Sequence, residues 1–170
     1  MTPPAYETAR LLLRPRTPAD LDACLAMDTD PDVMRHVGGV PAHPGAYRQE
    51  LAARLAHTPP AGFGYWSVFV KPAPGRFIGW VVLVPHGDDP DLVEIGWRLR
   101  RDAWGNGYAT EAAAVIVRHG FTSLGLTRIV ADVHPDNAAS ARVAARLGFR
   151  SAGPALYGGE PCRRFVLDRG

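Results

Sequence analysis

From Leu92 to Ala114 an extended run, Leu-Val-Glu-Ile-Gly-Trp-Arg-Leu, leads through Trp104-Gly-Asn-Gly107 into Tyr-Ala-Thr-Glu-Ala-Ala-Ala with no linker between them. A chain built this way must turn a strand directly into a helix and lay that helix back on the sheet. Thr110–Leu124 carries alanine and aliphatic residues nearly all round, which predicts a helix buried against a sheet. Upstream, Phe63–Lys71, Phe77–Pro85 and Leu92–Leu99 are rich in Val, Ile, Phe and Trp and are separated by Pro, Gly and Asp clusters. They predict three strands in antiparallel succession.

The flanking segments complete the pattern. Arg10–Pro15 is a short apolar strand stopped by proline. Thr17 is placed to cap a helix that starts at Pro18 and sets Leu21, Cys24 and Leu25 on one face. His43–His57 predicts a second helix, with Leu51 and Leu55 four apart. Thr127–His134 predicts a strand, Asp136–Leu147 a helix closed by Gly148, and Phe165–Leu167 a final strand. The order β-α-α-β-β-β-α-β-α-β indicates an α+β fold (an α/β sandwich) with a mixed sheet.

A chain of 170 residues with 46% hydrophobic and 21% charged residues can bury a sizeable core, and no linker, repeat or boundary divides it. One domain over 1–170 is therefore expected. Net charge is only +2, which excludes a protein mainly engaged in neutralising a nucleic-acid backbone. Residues 1–100 hold 10 basic and 11 acidic side chains, and residues 101–170 hold 9 and 6. The mildly basic second part suits a small anionic ligand. Apolar runs are far shorter than the roughly 20 residues of a membrane span, and no secretory signal is visible. Cys24 and Cys162 lie far apart without metal-ligand spacing, so two reduced thiols in the cytoplasm and no metal site are expected.

The chemistry concentrates in the strand–loop–helix segment. Gly105 and Gly107 allow backbone conformations closed to other residues and let a ligand approach the main chain. The first amides of a helix have no internal partner and lie at the positive end of its dipole. Such a corner can cradle a phosphate or diphosphate. Asn106-Gly107 also suits a hairpin turn, but a helix start follows it. The third glycine of a dinucleotide fingerprint and the Gly-Lys-Ser/Thr of a P-loop are both missing.

Four ordered motifs resemble the GCN5-related N-acetyltransferase (GNAT) superfamily, in the branch of ribosomal-protein N-terminal acetyltransferases. Trp104-Gly-Asn-Gly-Tyr-Ala109 is similar to its acetyl-CoA loop, Arg/Gln-x-x-Gly-x-Gly/Ala, with Trp104 replacing the first residue. Thr8-Ala-Arg-Leu-Leu-Leu-Arg-Pro15 resembles the opening strand. His134–Phe149 resembles the Asn-x-x-Ser…Leu-Gly-Phe helix, and Gly159-Glu160 the closing segment.

The resemblance implies a central, mostly antiparallel mixed sheet, splayed between its fourth and fifth strands, with helices on both faces. It implies acetyl-CoA as co-substrate and direct attack by a primary amine, on a protein N-terminus or a small molecule. Amides from Trp97 to Arg101, Leu99 above all, would meet the pantetheine arm. Amides of Gly105, Asn106, Gly107, Tyr108 and Ala109, beside Trp104 and with the Thr110 hydroxyl, would hold the diphosphate. Asn137 would touch the arm or simply cap its helix. Glu94 falls where several relatives keep a general base, though a strand glutamate can equally face solvent. Ser140 would protonate the departing thiolate, or bond its own helix. Tyr157 and Glu160, in an expected loop before the last strand, would reach the acceptor. Relatives of the branch often pair, so a homodimer is an expectation. A non-catalytic acyl-CoA-binding module would keep the same loop. The loop does not separate the two; Glu94 and Ser140 favour the enzyme, and thiol release from acetyl-CoA with a panel of amines would discriminate.

Overall fold

The computed structural model describes residues 3–72 and 75–170. Its strands are β1 (Tyr6–Glu7), β2 (Leu11–Pro15), β3 (Gly64–Val70), β4 (Arg76–Pro85), β5 (Val93–Leu99), β6 (Arg128–Val133), β7 (Arg150–Tyr157) and β8 (Glu160–Asp168). They form one sheet in the order β1-β2-β3-β4-β5-β6-β8-β7. Every neighbouring pair is antiparallel except β5 and β6, which run parallel and meet at a single pair, Glu94 facing Val130. The expected splay between the central strand and the one after the long helix is at this joint.

The helices are α1 (Leu21–Asp28), α2 (Pro31–Met34), α3 (Pro44–Ala56), α4 (Tyr108–Thr122) and α5 (Ala138–Arg146). No described helix is long and apolar enough to cross a membrane. α4 lays Ala112, Ala113 and Ile116 into the main core with Leu11, Leu13, Trp66, Leu83, Ile95 and Ile129. α5 adds Ala144 to the same cluster. A smaller cluster of Cys24, Leu51 and Leu55 packs α1 and α3 on Phe77 and Trp80. Along β4, Ile78, Val81 and Leu83 join the first cluster while Phe77 and Trp80 join the second, so helices cover both faces.

Local chemistry sets the ends. Asp20 accepts from the Thr17 amide at 2.8 Å, closing a capping box around the turn Pro18–Asp20. Gly148, at φ +90, ends α5 with Phe149 N–H bonded to Ala144 O and its own amide to Ala145 O, both at 3.0 Å. Trp66 is fully buried and donates Nε1–H to Pro4 O at 2.8 Å, a packing role as its strand position predicts.

The segment around Tyr157 and Glu160, expected to be a loop before the last strand, is instead a hairpin. β7 and β8 pair from Arg150 to Tyr157, and Gly158-Gly159, with φ +57 and +83, makes the two-residue turn. β7 escapes a pattern search because it is an exposed edge, interrupted by Pro154. β1, with two residues, and α2, with four, are too short to show a period.

Gly79 marks the closest backbone approach near the splay. Its φ is +144, and a Cβ there would stand 2.1 Å from Arg98 O. Gly79→Ala is therefore expected to cost about 3 kcal/mol of stability by forcing β4 from β5. Urea denaturation checks this, and an unchanged midpoint would mean that the two strands yield freely.

Candidate active site

Arg100 N–H donates to Ile78 O in β4 at 2.8 Å. Strand residues alternate direction, so Leu99 and Trp97 turn their amides the other way, toward the gap before β6. Leu99 O, on that same side, accepts Nε1–H of Trp104 at 2.9 Å. The tryptophan that replaces the family's Arg/Gln thus ties the loop to the end of the central strand. Its ring stays half exposed at the mouth of the fork, at 47%.

The glycine loop follows. Gly105 and Gly107 both have φ +76, and Gly107 caps α4 from the left-handed region. A Cβ on Gly105 would meet nothing within 4 Å, and one on Gly107 only Arg10 Nη2 at 3.6 Å. Glu111 N–H to Gly107 O, at 3.0 Å, is the first bond of the helical type, which leaves the preceding amides without α-helical acceptors. Thr110 Oγ1 is buried and has no hydrogen-bond partner among the described residues. A ring of open amides, space above two glycines and one orphaned hydroxyl fit a diphosphate.

Side chains hold this loop in shape. Asn106 Nδ2 donates to Ala103 O and Trp104 O at 3.2 and 2.9 Å, so its amide builds the turn. Arg10 Nη1 donates to Asn106 O at 3.0 Å, its Nε reaches Glu111 Oε2 at 2.7 Å, and its guanidinium lies over the Tyr108 ring. Thr8 donates to the same glutamate. Burial would raise the Glu111 carboxyl, but these donors hold it below the usual range. Arg10 and Glu111 are the residues that sequence reasoning missed. The only sign of them was the Thr8-Ala-Arg motif, whose contact lies 101 positions away.

Arg101 turns its guanidinium to Asp30 at 3.0 Å and Asp32 at 3.5 Å. Asn137 Oδ1 accepts from Ser140 N–H at 3.0 Å, which makes it a helix cap first. Ser140 is half-buried in that first turn.

Across the joint, Tyr157 donates its hydroxyl to Glu94 Oε1 at 3.1 Å. The two acceptor-side candidates, 63 residues apart, therefore meet. Burial pushes the Glu94 carboxyl up, with Asp132 and Asp88 adding to it, while the Tyr157 hydroxyl draws it down. The Tyr157 hydroxyl is pushed up by burial and by the Glu94 carboxylate, so it stays protonated and donates. Glu160 faces Tyr157 across the hairpin and is exposed.

With this geometry the sequence matches the family model for the acetyltransferase (GNAT) domain over residues 10–150. The chain belongs to the GNAT acetyltransferases. It is 36% identical over 154 residues to an FsC-acetyl coenzyme A-N(2)-transacetylase of Aspergillus fumigatus, covering 85% of this chain and 64% of that protein. An acetyltransferase from Agrobacterium tumefaciens has 29% identity and a TM-score of 0.83, covering 99% of this chain and 96% of that one. A RimL ribosomal L7/L12 α-N-protein acetyltransferase solved with coenzyme A shares the fold, with a TM-score of 0.78 at 15% identity over 97% and 98% of the two chains. GNAT acetyltransferases use acetyl-CoA.

The Thr110 hydroxyl gives a test with opposite signs. Thr110→Val keeps the shape and removes the orphan, so it should stabilise the unliganded protein by about 1 kcal/mol. Coenzyme A binding should weaken about tenfold as one donor is lost. Thermal unfolding and calorimetry read the two effects, and weaker stability with unchanged affinity would overturn the role.

Proposed function

We propose that residues 1–170 act as one catalytic domain that transfers the acetyl group of acetyl-CoA to a primary amine, either a protein N-terminal α-amine or a small-molecule amine. The observation that carries this reading is the Tyr157–Glu94 contact beside the joint where β5 and β6 part. A bare binding module has no need of a half-buried carboxylate held by a tyrosine hydroxyl at that point. The buried, unpaired thiols of Cys24 and Cys162 suit a reducing cytoplasm.

Acetyl-CoA supplies an activated thioester. Amides of Trp97 and Leu99 would hold its pantetheine arm, and those from Gly105 to Thr110 its diphosphate. Asn137 would keep α5 directed at the arm. Glu94 would take a proton from the incoming ammonium, leaving the lone pair of the neutral amine to attack the carbonyl carbon. As the C–S bond breaks, the Ser140 hydroxyl would pass its proton to sulfur and take up the proton shed by the acylated nitrogen, leaving a neutral amide, a free thiol and a restored hydroxyl, while Glu94 releases its proton to solvent. Tyr157 would hold Glu94 in place.

The demand on Glu94 depends on the acceptor. At pH 7 an α-amine with pKa about 8 costs about 1.4 kcal/mol to deprotonate, and a lysine amine near 10.4 costs about 4.6 kcal/mol.

Release of free thiol from acetyl-CoA, measured with a panel of small amines and N-terminal peptides, tests the proposal. Turnover with one class supports it and selects the acceptor. Silence across the panel, with coenzyme A still bound tightly, would assign a binding module instead.

A further inference from the structure

We infer that His86, Asp132 and Arg164 form a buried clasp across the fork that sets the Tyr157 hydroxyl on Glu94, making the three positioning residues for acetyl transfer. The inference rests on the acceptor-side reading given above.

The two parts of the sheet need such a device. β5 and β6 share one facing pair, so the main chain alone fixes little of the angle at which they part. Side chains cross the gap instead. His86, one residue beyond β4, places Nε2 2.8 Å from Asp132 Oδ2 on β6. Arg164 on β8 grips the same carboxylate, Nε to Oδ1 at 2.8 Å and Nη2 to Oδ2 at 2.6 Å. The side chains of His86 and Asp132 are 1% and 4% exposed. Burial would raise the Asp132 carboxyl, but the Arg164 and His86 donors hold it low. Thus strands from both sides of the fork converge on one ionised group.

The hydrogen on His86 can be placed. Its Nδ1 accepts from Asp88 N–H at 3.1 Å, so Nε2 carries the hydrogen and donates to Asp132. The 3.0 Å approach of Arg164 Nη2 to Nε2 is then a contact between two donors that share one acceptor.

The loop after β4 also holds the hairpin. Tyr157 sets its ring against the His86 ring in an edge contact at 5.1 Å and 88°. Gly158, the next residue, donates its amide to Asp88 Oδ2 at 2.7 Å. A hairpin tip on an exposed edge strand would otherwise swing, and the Tyr157–Glu94 bond needs that tip fixed. The groups that face Glu94 are Tyr157 from β7, His86 and Asp88 from the loop after β4, and Asp132 from β6. Arg164 and Cys162 of β8 flank Asp132. Apolar residues of similar volume can join two sheets at least as firmly as a buried ion pair. A charged clasp here therefore points to orientation.

The test compares His86→Ala with Asp132→Asn, each in the natural and the Tyr157→Phe background. His86→Ala should lower kcat about tenfold and leave the KM for acetyl-CoA within twofold. The acid limb should move to higher pH, because the Tyr157 bond that lowers the Glu94 pKa is lost. In the Tyr157→Phe background the same change should alter kcat less than twofold. Hydrogen exchange should quicken at Asp88 and Gly158 and stay slow at Ile116 and Val117. Asp132→Asn keeps the volume and supplies the same comparison should His86→Ala not fold. Equal losses in both backgrounds, or unaltered exchange at the hairpin tip, would overturn the clasp. If Glu94→Gln leaves the pH profile intact while the non-additivity and the faster exchange persist, the clasp stands and the base assignment fails.

Discussion

Gly107→Val is expected to abolish coenzyme A binding while the fold survives. The residue sits at φ +76, where a β-branched side chain is strained by roughly 1–2 kcal/mol. Little of the core depends on it, since a Cβ there would find only Arg10 Nη2 within 4 Å. That space is the proposed anion cradle, and the amides around it are the donors. The valine both rotates those amides and projects methyl groups into the space. We expect affinity to fall at least a hundredfold by calorimetry, with a melting temperature lowered by only a few degrees. Unchanged affinity would place the diphosphate elsewhere.

Glu94→Gln is expected to lower kcat about a hundredfold and to remove the acid limb of the rate–pH profile. Burial raises the Glu94 carboxyl above the ordinary glutamate value, so the limb should lie on the alkaline side of an ordinary glutamate titration. Activity is lost as pH falls through that elevated pKa, because the group must be ionised to accept a proton. Stability follows the opposite sign. A folded-state pKa raised by burial favours folding with the protonated form, and this advantage is lost as pH rises through the folded pKa. Glutamine avoids burying the charge, so the variant should be no less stable than the parent at pH 7. Thermal unfolding beside steady-state kinetics separates the two effects. A variant with the parental profile would remove Glu94 as base.

Much of the fold was legible because its central elements carry strong periods. The strands now named β3, β4 and β5 and the helix α4 were readable from their apolar residues, and the glycine loop from its place between strand and helix. α4 begins at Tyr108, two residues before the expected start, because Gly107 itself serves as cap. The edge was not legible. β7 buries little, so nothing in its sequence demanded a strand, and Tyr157 was read as a loop residue. The partners of the site were hidden for another reason. Arg10 and Glu111, or His86, Asp132 and Arg164, are distant in sequence and meet only once the sheet is built. Asn137 shows the reverse case, in which the ordinary capping role is the one observed.

Diffraction from crystals soaked in coenzyme A tests the central claim most directly. The account predicts diphosphate oxygens within hydrogen-bond distance of the amides from Gly105 to Thr110, and the pantetheine arm running past Leu99 between β5 and β6. Coenzyme bound outside the fork, with those amides still open, would contradict it.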